Sequence, residues 1–305
     1  MRGAGEMTSG IIGLGNMGGR IGRRIRDEGL PVIGYDLDPE QADAAGIELA
    51  DSVAEVAAGS RVVFLSLPDS TAVEQVVLGE GGLLENARAR QVVVDLSTAA
   101  PSSSVKIHAA LARREVAFVD AGISGGAAAA EQGTLTIMAG GSREALEVVA
   151  PFLATFSARV YHMGAPGSGH AAKLLNNFLN ATSLAATAEV MVAAKQSGLD
   201  LAQFLDVVNH SSGVSFATLN RFPRIIEGDY LEGGLTNALM AKDVRLYLEH
   251  VQEIGTPSLT GAACLGVFEL AGALGYGDQI SNRVVDAIGD IAGGVRVQQE
   301  ARANQ

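Results

Sequence analysis

The sequence predicts an α/β chain. A doubly wound parallel sheet over residues 9–166 is followed by an all-helical domain over residues 167–305, and one long interdomain helix joins them. Three observations predict this. Short apolar runs alternate with helical stretches through the first half. The first run ends in a glycine-rich turn that opens a helix. Beyond Gly164 the strand-like runs stop, and a stretch without Pro or Gly reads as one helix from His170 to about Ser197.

The elements follow in order. Residues 1–8 contain no hydrophobic region, so they read as a short disordered leader rather than a secretory signal. The runs SGIIGLG, PVIGYD, RVVFLSL, QVVVDLS and AFVDAGI are rich in Val, Ile or Phe and have the length of buried strands. Between them, segments such as Met17–Glu28 and Ser102–Arg113 carry helical periodicity. Strand–helix alternation implies right-handed crossovers and a parallel sheet. In the second half, Gly213, Pro223, Gly233-Gly234, Pro257 and Gly275 break the chain into further helices. The segment Leu259–Leu274 is apolar nearly all round and is expected to be buried in a core or at an interface.

Composition narrows the function. With 48% hydrophobic and 18% charged residues, the chain is globular in type. A net charge of −12 argues against nucleic-acid binding, which needs basic patches. No apolar run is long enough for a membrane helix. The single cysteine, Cys264, excludes an internal disulfide, suits a cytoplasmic setting and lies in a core-like stretch. The histidines 108, 162, 170, 210 and 250 are scattered, so no metal site is expected.

The first strand runs into Gly13-Leu14-Gly15-Asn16-Met17-Gly18, a G-x-G-x-x-G turn in strand–turn–helix context. Gly13 permits the tight turn, Gly15 lets backbone approach a pyrophosphate, and Gly18 lets the helix pack closely. Asn16 and Met17 complete the cradle at the helix N-terminus. The pattern is that of a Rossmann-type dinucleotide site. Asp36 ends the next strand, 23 residues after Gly13, where a carboxylate accepts from the adenine ribose hydroxyls. Leu37-Asp38-Pro39-Glu40 follows with no Arg or Lys, which favours NAD over NADP. The alternative for Asp36 is turn capping. Leu67-Pro68 and Ser97-Thr98 fall at carboxyl ends of strands, where ligands of such sheets gather; Leu67, Pro68 and Thr98 are cofactor-site candidates, with turn or cap chemistry the equal alternative for each taken alone.

The long helix carries Lys173, Asn176 and Asn177 in its first turns. Lys173 and Asn177 are i and i+4 and share one face, with Asn180 further along it. Three Asn in a Leu/Ala helix lower its propensity, and a solvated polar face is the plain alternative. Hydride loss from an alcohol carbon needs a base for the hydroxyl proton. A Lys serves near neutral pH when desolvation and a neighbouring positive charge favour its neutral form.

With these motifs in their order the chain resembles the β-hydroxyacid dehydrogenases. The resemblance rests on the glycine turn, on Asp120-Ala121-Gly122-Ile123-Ser124-Gly125-Gly126, on Gly167-x-Gly169-x-x-x-Lys173-x-x-Asn176-Asn177, and on Lys242-Asp243 opening a later helix. Gly133-Thr134-Leu135-Thr136-Ile137-Met138 also fits. Gly122 departs from the family's usual Pro, and Leu235 from its common aromatic. The resemblance implies Lys173 as proton-transfer residue and Asn177 orienting the reacting oxygen. It also implies Ser124, Gly125 and Gly126 holding a substrate carboxylate, and Lys242 over the cofactor side. It further implies a small hydroxy-acid substrate and a homodimer or homotetramer. An imine reductase on the same architecture, or a non-catalytic dinucleotide-binding protein, are the competing readings; Lys173 argues against the first, and Lys173 with Asn177 against the second.

Overall fold

The computed structural model describes residues 8–298, so the expected leader lies outside the described residues except for Thr8. The chain divides into two compact units, one ending at Lys173 and the other beginning at Leu174.

The first unit is built on a sheet of strands β1 (Ser9–Ile12), β2 (Val32–Tyr35), β3 (Glu48–Leu49), β4 (Val62–Leu65), β5 (Val92–Asp95), β6 (Ala117–Ser124), β7 (Leu135–Gly140) and β8 (Ser157–Gly164). Their order is β3-β2-β1-β4-β5-β6-β7-β8. The pairs are parallel except β6 with β7. The sheet is therefore mostly parallel rather than wholly so. Only the short helix Gly126–Gln132 separates β6 from β7, which is less chain than a parallel crossover needs.

Period-two alternation sorts the strand residues onto two covered faces. Ile11, Phe64, Val94 and Val119 pack with Ile21, Ile25, Phe152 and Phe156 on one side. Ile12, Val63, Leu65, Val93 and Phe118 pack with Val56, Val73, Ile107 and Leu111 on the other. Phe64 meets Phe152 and Phe156 edge-on at 6.1 and 5.9 Å.

The register aligns Ile12, Leu65, Asp95 and Asp120 across β1, β4, β5 and β6. The residues that follow them share one carboxyl edge. The chain order reverses between β1 and β4, the switch point where ligands of such sheets bind. Strand β6 continues past this line through Ser124, paired there only with β7.

The long helix runs Ser168–Gln196. In the second unit it is followed by helices Leu201–Asn209, Phe222–Ile225, Asn237–Glu253, Gly261–Ala271 and Val284–Ile291, and a π-helical turn at Ala217–Arg221. No strand follows β8 among the described residues; a single bridge joins Thr236 and Ile280. The core of this unit gathers Leu184, Ala188, Phe222, Met240, Phe268 and Val284. The segment Leu259–Leu274 divides into a core-facing stripe and an outer face. Gly261, Cys264, Phe268 and Ala271 form one buried stripe, while Leu259 and Leu274 are exposed. Cys264 is a core residue, and burial pushes its thiol up.

Candidate active site

The glycine turn has the shape its spacing predicts. Gly13 holds φ +90°, and a Cβ there would collide with the Ser66 carbonyl. A Cβ on Gly18 would collide with the Gly13 carbonyl, so helix and turn touch backbone to backbone. At Gly15, by contrast, nothing lies within 4 Å of the Cβ position, leaving the space a pyrophosphate requires. Asn16 accepts from Arg20 through its carbonyl and side-chain oxygens, and Arg20 pairs with Glu131 at 2.7 Å.

Asp36 caps its own turn and also reaches the glycine turn. Its Oδ2 accepts from Leu14 N–H at 2.6 Å and its Oδ1 from Asp38 N–H at 2.9 Å. The carboxylate thus binds the first turn to the end of β2, and each oxygen keeps a further lone pair. Open space at Gly15 and a partly exposed carboxylate at the next strand end fit a dinucleotide. Leu67 N–H donates to Ser97 Oγ at 2.9 Å, so the ends of β4 and β5 are tied beside Pro68 and Thr98.

The head of the long helix is pinned to the sheet. Buried Asp120 accepts from Gly167 N–H at 2.7 Å and from His170 N–H at 2.8 Å. Gly169 leaves no room for a side chain, because its Cβ would collide with the carbonyls of Asp120 and Met138. That close approach is the physical reason for Gly167-x-Gly169. Lys173, one turn on, rests its stem against β6. A Cβ on Gly122 would lie 2.5 Å from Lys173 Cβ and 3.0 Å from its Cγ. Two residues along β6 is half-exposed Ser124, then Gly125 at φ +134° and Gly126, where a Cβ position is open.

Beneath this edge lies a buried polar group that sequence reasoning missed. His170 Nδ1 and Ser104 Oγ are 2.7 Å apart, and His170 Nε2 stands 4.0 Å from Asp95 Oδ2. Neither of those last two atoms has a hydrogen-bond partner. Asp95 ends β5 and Asp120 lies within β6, and buried carboxylates in such apolar strands are costly. Burial raises the Asp95 carboxyl, with His170 opposing. A raised carboxyl contributes stability fully below its unfolded value of 3.8, and that contribution is lost as pH rises through the folded value. Asp95→Asn keeps an acceptor for Ser97 N–H but stays neutral. Its melting temperature should therefore gain on the native protein as pH rises from about 3.8 towards neutrality. Parallel melting curves across that range would contradict this.

In the second unit, Asn177 Nδ2 donates to Asp243 Oδ2 at 2.6 Å, and both residues are buried. Phe178 stacks on Tyr247, one turn beyond Asp243, at 3.8 Å. Lys242 Nζ lies 3.3 Å from Asp243 Oδ1. Asp243 is thus the residue that orients Asn177, a role sequence reasoning left unassigned. Lys242-Asp243 sits in the second turn of helix Asn237–Glu253, which is capped by Thr236, rather than at its opening. Leu235 packs against the core of this unit. Among the described residues, no cluster of His, Cys, Asp or Glu could hold a metal, and no helix is long and apolar enough to cross a membrane.

Comparison with known proteins covers both units. Residues 8–164 match the NAD binding domain of 6-phosphogluconate dehydrogenase. Residues 167–288 match the NAD-binding family of NADP-dependent 3-hydroxyisobutyrate dehydrogenase. The chain is 35% identical to 2-(hydroxymethyl)glutarate dehydrogenase of Eubacterium barkeri, over 90% of this chain and 93% of that one. It is 36% identical to NAD-dependent L-serine dehydrogenase of Pseudomonas aeruginosa, over 88% and 93%. The structure of Mycobacterium tuberculosis 3-hydroxyisobutyrate dehydrogenase with L-serine superposes with TM-score 0.83 at 27% identity, covering 92% of this chain and 98% of that one. An imine reductase from a Pseudomonas species, at 20% identity and TM-score 0.60, shares the fold alone.

Proposed function

This chain belongs to the β-hydroxyacid dehydrogenase family, and we propose that it interconverts a small 3-hydroxy acid and its semialdehyde or keto acid, with Lys173 moving the proton. The observation that carries this is the seat of Lys173. Its helix is pinned by Asp120, its stem lies on Gly122, and both stand on the sheet edge that carries the glycine turn. In this reading residues 9–166 hold the cofactor, while residues 167–305 complete the substrate site and form a homodimer or homotetramer in the cytoplasm.

NAD, when bound, supplies the hydride acceptor for oxidation. Gly13, Gly15, Asn16, Met17 and Gly18 would cradle its pyrophosphate, Asp36 its ribose hydroxyls, and Leu67, Pro68, Thr98 and Lys242 its remaining length. Ser124, Gly125 and Gly126 offer hydroxyl and backbone N–H donors to the substrate carboxylate. Lys173 Nζ accepts the hydroxyl proton in oxidation and returns it in reduction. Asn177 donates to the same oxygen, held for it by Asp243.

The test is NAD and NADP reduction measured against a panel of short hydroxy acids and matched alcohols. We expect turnover of the acids and a preference for NAD of about tenfold or more in kcat/KM, since Asp36 and Asp38 repel a 2′-phosphate. Asp36→Ser should narrow that preference. Equal use of both cofactors removes the role given to Asp36, and equal turnover of uncharged alcohols removes that of Ser124–Gly126.

A further inference from the structure

Arg221 closes the π-helical turn Ala217–Arg221, a local distortion often found at functional sites. Its Nη1 donates to Asn282 Oδ1 at 2.8 Å and its Nη2 to Asn180 Oδ1 at 3.0 Å. Both partners are neutral amides. Among the described residues no carboxylate pairs with this guanidinium. Burial lowers its value to about 10, and no carboxylate opposes that shift. Desolvated cations are normally paired with anions, so a half-buried arginine held only by amide oxygens is a place prepared for an anion. The guanidinium has five N–H donors, and the two amides fix its plane while leaving donors in a fork that suits a carboxylate.

The position gives this meaning. Asn180 follows Asn177 by three residues, on the same helical face and about 4.5 Å further along the axis. Asn177 is the residue assigned to the reacting oxygen. Beside the guanidinium, 5.8 Å away, lies the ring of Phe216, 59% exposed, which gives an apolar wall for methylene groups.

We propose that Arg221 binds a second carboxylate of the substrate, so that the preferred hydroxy acid is a dicarboxylate whose two acid groups are separated by a short methylene spacer. This rests on the dehydrogenase reading above. It differs from the purely structural role in which Arg221 only ties Asn180 to Asn282.

Three 2-(hydroxymethyl) acids separate the possibilities: 2-(hydroxymethyl)glutarate, the uncharged-tail analogue 2-(hydroxymethyl)pentanoate, and 3-hydroxyisobutyrate, with only a methyl tail. In the native enzyme with NAD, kcat/KM for the glutarate should exceed that for the pentanoate by about tenfold or more. Arg221→Met should erase that ratio, mainly through KM, while Arg221→Lys keeps part of it and guards against a folding artefact. Free glutarate should compete with the substrate in the native enzyme and lose potency in Arg221→Met. A native enzyme that treats glutarate and pentanoate alike, or an Arg221→Met that slows all three acids equally, overturns the proposal and leaves the dehydrogenase reading intact. If none of the acids reduces NAD, both fall together.

Discussion

Lys173→Met should lower kcat by roughly 10²–10⁴ while leaving NAD affinity and the melting temperature near native values. Methionine keeps the length and much of the volume of the stem, so packing against Gly122 persists and only the titratable nitrogen is lost. Asn177→Ala should differ in kind. It removes a donor that cannot exchange a proton at working pH, so kcat falls less and the pH profile keeps its shape. It also removes the donor at 2.6 Å from Oδ2 of the buried Asp243 carboxylate, so this variant should lose stability as well. In the native enzyme kcat/KM for oxidation should rise with pH through one ionisation, and Lys173→Met should abolish that dependence. A Lys173→Met enzyme that retains its rate or its profile would move the proton-transfer role to another group.

How far the sequence carries is visible in particular elements. Strands β1, β2, β4, β5 and β6 were legible because each is an apolar run buried by helices on both faces. Strand β3 is two exposed residues and leaves no pattern. Strand β8 is a largely exposed edge that mixes Arg, Tyr and His with Val, so neither periodicity nor composition marks it. Strand β7 is apolar, but its antiparallel return depends on the shortness of the connection rather than on its own residues. The candidate site divides in the same way. The glycine turn and the Lys173/Asn177 spacing are local patterns and can be read along the chain. The contacts that position them are not. Asp120 reaches Gly167 across 47 residues, and Asn177 reaches Asp243 across 66. Such pairs carry no local signal, and only Asp95 and Asp120, each set among buried apolar strand residues, hinted that carboxylates had work to do there.

Gly122→Ala should cost about 10² in kcat although position 122 bears no functional group. Gly122 departs from the family's usual Pro, and the structure shows what the glycine does in this chain. Position 122 lies in β6, opposite Met138 of β7, and its φ is not in the left-handed region, so glycine is not needed for the turn. It is needed for space. A Cβ would stand 2.5 Å from Lys173 Cβ, far inside van der Waals contact, with Lys173 Cγ at 3.0 Å and the Gly169 carbonyl at 3.3 Å. The strand is fixed by its pairing with β7, and the helix head by Asp120 and by the tight fit of Gly169. The lysine stem is therefore the part that yields, by on the order of 1 Å, and a misplacement of that size at a reacting nitrogen is worth about two orders of magnitude. The loss should appear in kcat with KM for NAD nearly constant. A double-mutant cycle checks the route of the effect: once Lys173 is Met, adding Gly122→Ala should cost little more, because the displaced nitrogen is already absent. Additive losses in that cycle, or a Gly122→Ala enzyme with native kcat, would show that the stem of Lys173 does not depend on the bare backbone beneath it.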